Sequence, residues 1–258
     1  MAIVEYTALV AKLIPYRESD LIVWLITREA GLISAIAVGA RKSRKRFANL
    51  FDIANVISIK ATRRRRGMAR VDSGMLIHGF WELSQSVQLL AAACHVVELT
   101  RRFSVEDQAE PEMFDLVVIA LKELAAKGVG QFRLRAFEMG ILALAGLAPN
   151  LEQCIGCQKK AGPGDDVNFS IARSGIVCGK CARDGEKNML PAHSRELMRR
   201  ILASDIEGIF KLDHQQKSLP ALNSIIPALL EYHIGAPLKS LRFARSLPRP
   251  GMYAEAVC

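Results

Sequence analysis

The sequence predicts an α+β fold: an OB-like β-barrel at the N-terminus followed by a helical domain carrying a four-cysteine zinc finger. Three observations predict it. Short stretches rich in Val, Ile, Leu and Trp recur through the first 80 residues, the apolar spacing lengthens to a helical period after Trp81, and two Cys-x-x-Cys pairs interrupt the helical part. The 258 residues, half of them hydrophobic, are enough for two or three compact units. The expected division is residues 1–80 for the barrel, 81–150 and 187–248 for the two parts of the helical domain, 151–186 for the cysteine insertion and 249–258 for a tail.

In order along the chain, residues 7–14 and 21–27 read as two strands, with Pro15, Glu18, Ser19 and Asp20 supplying the turn. Gly31 opens a third strand over 32–38, the alternation of Val56, Ile57 and Ile59 gives a fourth over 55–62, and 68–77 adds a fifth. Five short strands at such intervals fit a small barrel of the kind that commonly holds oligonucleotides. Leu83, Val87, Leu90, Cys94 and Val97 then share one helical face, as do Phe114, Val117, Leu121 and Leu124, and Leu134, Phe137, Ile141 and Leu144. Gly146 and Pro149 stop this third helix. Leu197, Met198, Ile201 and Leu202 mark a fourth helix, and Leu222, Ile225, Ile226, Leu229 and Leu230 a fifth. Pro227 would cost about 3 kcal/mol in a regular helix, so a kink or restart is expected there.

Charge is unevenly placed. The chain has 35 Lys plus Arg against 26 Asp plus Glu, a net charge of +9. Residues 41–70 hold eleven cations and one acid, Asp52; outside them basic and acidic residues nearly balance. A local excess of this kind marks a polyanion site more than general solubility. Arg41, Lys42, Arg44, Lys45 and Arg46 place five cations in six positions, where like-charge crowding is costly without a counter-charge, and phosphate binding is the favoured reading over a solvated loop. Phe47 and Phe51 follow, either stacking on bases or anchoring the loop in the core. Arg63, Arg64, Arg65 and Arg66 form either a second wall of the same groove or a hairpin tip.

Cys154, Cys157, Cys178 and Cys181 form two C-x2-C pairs 20 residues apart. Two residues between thiols let one tight turn aim both sulfurs at a common point, and two such knuckles make the S4 shell that suits zinc. Gly156 and Gly179 would permit positive φ in the knuckles. A closed S4 shell leaves no position for water, so the expected zinc is structural; a redox pair or a metal-free site are the alternatives. Cys94 is expected to be a buried, inert thiol on a helix face.

No stretch of about 18 apolar residues suggests a membrane span, and residues 1–10 lack the pattern of a secretion signal, so a cytoplasmic, reducing setting is expected. No phosphate loop, H-E-x-x-H or G-x-S-x-G motif is present. A zinc deaminase would need a Pro before its Cys-x-x-Cys, where Gln153 stands, and a His- or Cys-x-Glu segment ahead of it, where His95 is followed by Val96 and Val97. His78, His193, His214 and His233 read as packing or surface. A non-enzymatic role is expected.

The wording and order of the chain resemble the bacterial RecO recombination mediators. Tyr16-Arg17-Glu18-Ser19-Asp20-Leu21, Thr27-Arg28-Glu29-Ala30-Gly31-Leu32 and Gly39-Ala40-Arg41-Lys42-Ser43 are similar to that family's barrel, and Glu231-Tyr232-His233-Ile234-Gly235 with Pro237-Leu238-Lys239-Ser240 to its C-terminal segment. The resemblance implies an OB-fold that binds single- and double-stranded DNA, anneals complementary strands and, with RecR, helps load RecA onto strands coated by single-stranded DNA-binding protein. The four-arginine tract and Pro227 depart from what it leads one to expect. The alternatives are a zinc-bearing RNA-binding or transcription-associated factor and, third, a DNA-processing hydrolase.

Overall fold

The computed structural model describes residues 2–63, 67–183 and 188–240. Arg64, Arg65, Arg66, Cys258 and the expected tail lie outside the described residues. Five strands close into a barrel in the order β1-β2-β3-β5-β4: β1 (Ala2–Tyr16), β2 (Asp20–Thr27), β3 (Gly31–Ala37), β4 (Val56–Arg63) and β5 (Ala69–His78). β1 serves both neighbours. Its first half pairs with β4, from Ala2 opposite Arg63 to Leu9 opposite Val56, and its second half pairs with β2, from Ala8 opposite Thr27 to Tyr16 opposite Asp20. A register shift between Val10 and Lys12 marks where it turns the corner. A short parallel contact, Ala35 with Ala69 and Ile36 with Arg70, closes the barrel.

Strand alternation sorts side chains into two cores. Ala8, Val10, Val23, Leu25, Ile57 and Ile59 fill the barrel, whereas Leu9, Ile26, Leu32 and Val56 point out of it yet are also buried. What covers them is the helical part. α1 (Val87–Phe103), α2 (Pro111–Lys127), α3 (Gln131–Leu144), α4 (Ala192–Ala203) and α5 (Leu219–Ile234) share their core with that barrel face.

The helix ends follow local chemistry. Ser86 caps α1, its hydroxyl accepting from the Leu89 N–H at 3.1 Å, so Leu83 falls in a preceding one-turn 3-10 helix (Trp81–Ser84) and not in α1 as the spacing suggested. Pro111 opens α2 at a position whose N–H has no helical partner. α5 runs through Pro227 without a restart. Asn223, four residues earlier, is exposed, so the carbonyl that loses its usual donor faces water.

Between α3 and α4 a three-stranded sheet, β6 (Val167–Ser170), β7 (Gly175–Val177) and β8 (Asn188–Leu190), lies in the order β7-β6-β8 and sends Phe169, Ile176 and Leu190 into the helical core. Sequence periodicity missed it because strands of three or four residues are too short to show alternation.

A buried polar cluster ties the helices to the last described segment. His95 on α1 faces Glu138 on α3 at 2.8 Å and Ser240 at 3.2 Å, and Arg135 donates to the same Glu138 oxygen at 2.8 Å. The Ser240 and Lys239 backbone N–H groups donate to Glu98. The other histidines pack or cap: His214 stacks on Phe132, His78 meets the edge of Phe80, and His193 and His233 bond to Lys217 O and the Ser174 hydroxyl. Cys94 is half-buried; burial, with Glu98 nearby, pushes its thiol up, which keeps it protonated and unreactive.

Gly31 lies tight against the connection between α1 and α2. It has φ 61°, and a Cβ there would lie 2.0 Å from the Gln108 carbonyl oxygen and 2.6 Å from that of Val105. Gly31→Ala is expected to cost on the order of 1–3 kcal/mol from φ alone, more with the clash, and to lower the thermal midpoint by several degrees in calorimetry. An unchanged midpoint would show that the α1–α2 loop yields freely.

Candidate nucleic-acid interface and metal centre

The chain between β3 and β4 carries the basic cluster. Ala40–Lys42 form one 3-10 turn, and Arg41, Lys42, Arg44, Lys45 and Arg46 are all exposed. Three sets of contacts fix this loop on the end of the barrel. Asp20, itself buried, accepts from the Gly39 N–H at 2.8 Å, and the Arg41 N–H donates to the Ser19 carbonyl at 2.9 Å, so the loop is clipped to the β1–β2 turn. The Ser43 hydroxyl accepts from the Phe47 N–H at 3.0 Å, and Phe47, Leu50 and Phe51 enter the barrel core. Buried Asn55 donates to the Asn49 and Leu50 carbonyls.

Phe47 and Phe51 are therefore anchors. Only 4% and 8% exposed, with ring centroids 5.3 Å apart, they turn to each other and the core and offer no face to a base. Arg46 lies over the Phe47 ring at 4.3 Å and donates to the Val38 carbonyl; no acidic partner to any of the five cations occurs among the described residues.

The second basic tract sits differently. Arg63 ends β4 and is ion-paired with Asp107 in the α1–α2 connection. Hydrogen bonds to Asp107 and Tyr6 hold its guanidinium above the ordinary range. Arg63, Gly67 and Met68 line a hollow with Leu32, Ile33 and Ser34, beside the first half of β3, whereas the five-cation loop follows the last residue of that strand. Arg70 pairs with Asp72 at 2.9 Å. The linear count of eleven cations against Asp52 thus overstates the free charge, because Asp72 and Asp107 fold back onto the segment from outside it.

The four cysteines converge. All four sulfurs lie within 4.8 Å of one another, with Cys154 buried and Cys157 exposed, and they could hold a metal ion. The first knuckle is set by a Gln158 N–H to Cys154 carbonyl bond of 2.8 Å, and the second by N–H bonds from Cys181 and Ala182 to the Cys178 carbonyl, both 3.0 Å. Backbone N–H groups of Gly156 and Cys178 point at the Cys154 sulfur at 3.4 and 3.3 Å. The Ile155 N–H bonds to the Ile176 carbonyl at 3.0 Å, which ties the first knuckle to β7.

Neither Gly156 nor Gly179 takes positive φ; the left-handed residue is Gln158, at 61°. Gly156 serves close approach instead, since a Cβ there would meet Cys181 Cβ at 2.9 Å and Sγ at 3.0 Å. Burial raises the Cys154 thiol, but the N–H groups aimed at its sulfur outweigh burial and bring it to about 6, while its neighbours' sulfurs push Cys181 up to about 12. Sulfurs this close resist carrying four negative charges unless a cation sits among them.

Residues 1–80 match the family described as Recombination protein O N terminal, and residues 84–242 the one described as Recombination protein O C terminal. The chain belongs to the RecO family. The two matched regions correspond to the barrel and to the helices with their cysteine sheet. Among curated relatives, the DNA repair protein RecO of Anaeromyxobacter dehalogenans (strain 2CP-C) is 34% identical over 245 residues, covering 93% of this chain and 95% of its own. That of Myxococcus xanthus (strain DK1622) is 37% identical over 174 residues, 67% of this chain and 70% of its own. That of Syntrophus aciditrophicus (strain SB) is 30% identical over 247 residues, 94% and 95%. No helix among the described residues is long and apolar enough to cross a membrane.

Proposed function

We propose that this chain is a DNA-repair mediator that binds single- and double-stranded DNA, anneals complementary strands and, with RecR, helps load RecA onto strands coated by single-stranded DNA-binding protein. It works in the bacterial cytoplasm at the nucleoid. Residues 1–80 are its nucleic-acid-binding unit, and the helical parts, 81–150 and 187–248, flank the zinc-bearing insertion, 151–186, ahead of the tail, 249–258.

The observation that carries the reading is the exposed loop of Arg41, Lys42, Arg44, Lys45 and Arg46, held in place by Asp20, Phe47 and Asn55. Fixed cations without acidic partners neutralise phosphates without first breaking ion pairs. Annealing requires no nucleophile or general base. It is accelerated when two phosphate backbones are screened and the strands are held close. Arg64, Arg65 and Arg66 are further phosphate-binding candidates in this reading, with Arg63 shared between phosphate and Asp107.

The metal is a single structural zinc on Cys154, Cys157, Cys178 and Cys181. A tetrahedron with Zn–S bonds of about 2.3 Å has sulfurs about 3.8 Å apart, and Cys157 and Cys178 stand 3.8 Å apart. A closed shell of four thiolates supplies folding energy and no Lewis-acid site.

The test is the pairing rate of two labelled complementary DNA strands, followed by energy transfer, with and without the protein. Acceleration at low salt that fades as salt rises is the expected result. No acceleration, or acceleration restricted to RNA strands, would defeat the reading, and strand cleavage with a divalent metal would point to a hydrolase.

A further inference from the structure

Neutralising phosphates holds a strand but leaves its bases without a partner, and burial of Phe47 and Phe51 removes the two rings nearest the basic loop in sequence. The fold brings another ring there. Tyr16 is the last residue of β1 and 38% exposed, and the turn it opens, Arg17 to Ser19, is the one clipped to the basic loop. The Ser19 carbonyl takes the Arg41 N–H at 2.9 Å and the Glu18 carbonyl takes Arg41 Nη1 at 3.4 Å. Arg17, with φ 52°, sets its guanidinium over the Tyr16 ring 5.2 Å from the centroid. One end of the barrel thus carries an exposed ring, a guanidinium plane and five further exposed cations.

The other exposed aromatic rings among the described residues lack this setting. Trp81 stands among Ile53, Leu76 and Leu90 with Asp52 as the charged neighbour, and Tyr232 lies late in α5 against His233.

We propose that Tyr16, assisted by Arg17, is a nucleobase-stacking site: a base of a single strand stacks on this ring while Arg41, Lys42, Arg44 and Lys45 hold the flanking phosphates. The inference rests on the DNA-binding reading above and adds to it a contact with bases. Any base has a π-face, so the site accepts all four and confers preference for single strands, whose bases are free, over duplex.

The experiment compares binding of a thymine 15-mer and of an abasic 15-mer with the same backbone, by fluorescence anisotropy at fixed salt, to the full chain and to Tyr16→Leu and Tyr16→Trp. Leucine keeps apolar bulk without a π-face, and circular dichroism checks that each variant is folded. Tyr16→Leu is expected to bind the thymine strand about 5- to 150-fold more weakly, to bind the abasic strand as the wild type does and to keep the salt slope. Tyr16→Trp retains tight binding. Equal affinities of wild type and Tyr16→Leu for the thymine strand would overturn the stacking site, as would equal losses on both strands, which would place the contact on the backbone. A wild type that binds neither strand would remove the DNA-binding reading itself.

Discussion

Replacing Arg41, Lys42, Arg44, Lys45 and Arg46 together by alanine should take about 3.5 off the log–log salt slope of single-strand binding, at roughly 0.7 per neutralised phosphate. Between 50 and 200 mM salt that slope is worth about 100-fold in affinity, so the variant and the wild type differ most in dilute buffer. All five side chains are exposed, while the groups that seat the loop, Asp20, Ser43, Phe47, Phe51 and Asn55, are left intact. The loss is therefore expected with an unchanged circular dichroism spectrum. Titration of a labelled 15-mer against salt checks it, and a variant whose slope matches the wild type would move the contact away from this loop. Arg46 alone should contribute least, since its guanidinium is already engaged with the Phe47 ring and the Val38 carbonyl.

Stripping the proposed zinc should release the two cysteine knuckles. Structural zinc contributes about 10–16 kcal/mol to small domains built around it, and the two knuckles are turns with few bonds of their own, whereas β7 is also seated in the helical core through Ile176. Chelation, or Cys154→Ser, is expected to abolish hydrogen-exchange protection at the Ile155 and Cys178 amides while α1 to α3 keep theirs. Elemental analysis of the untreated chain should return one zinc. Metal retention should decline as pH falls, because each sulfur–metal bond competes with a proton and protons become more abundant in that direction. A metal-free chain with full protection across residues 150–183 would rule the structural role out.

Much of this architecture was legible in the sequence. Barrel strands stood out because β-branched and apolar residues alternate between turn signals, and the cysteine spacing alone brought the four sulfurs together. What escaped had physical causes. β1 runs seven residues longer, summed over its two ends, than the apolar stretch suggested, because Glu5 and Pro15 look unfavourable until β4 and β2 are there to pair with. A charge count along the chain could not see that Asp72 and Asp107 neutralise Arg70 and Arg63 in space. Phe47 and Phe51 are ambiguous in sequence, since an aromatic beside arginines suits both a stacking face and a loop anchor; burial decides between them. Tyr16 appeared only as part of a motif, because its turn meets the basic loop through a contact across 22 positions, Ser19 to Arg41.

The outward-facing quartet Leu9, Ile26, Leu32 and Val56 means that the barrel, although closed, is not a self-sufficient module. Cut free after residue 80, it would present those four side chains to water as a greasy flank. Heat should then take the whole molecule apart in one step, barrel and helices melting as partners rather than in succession.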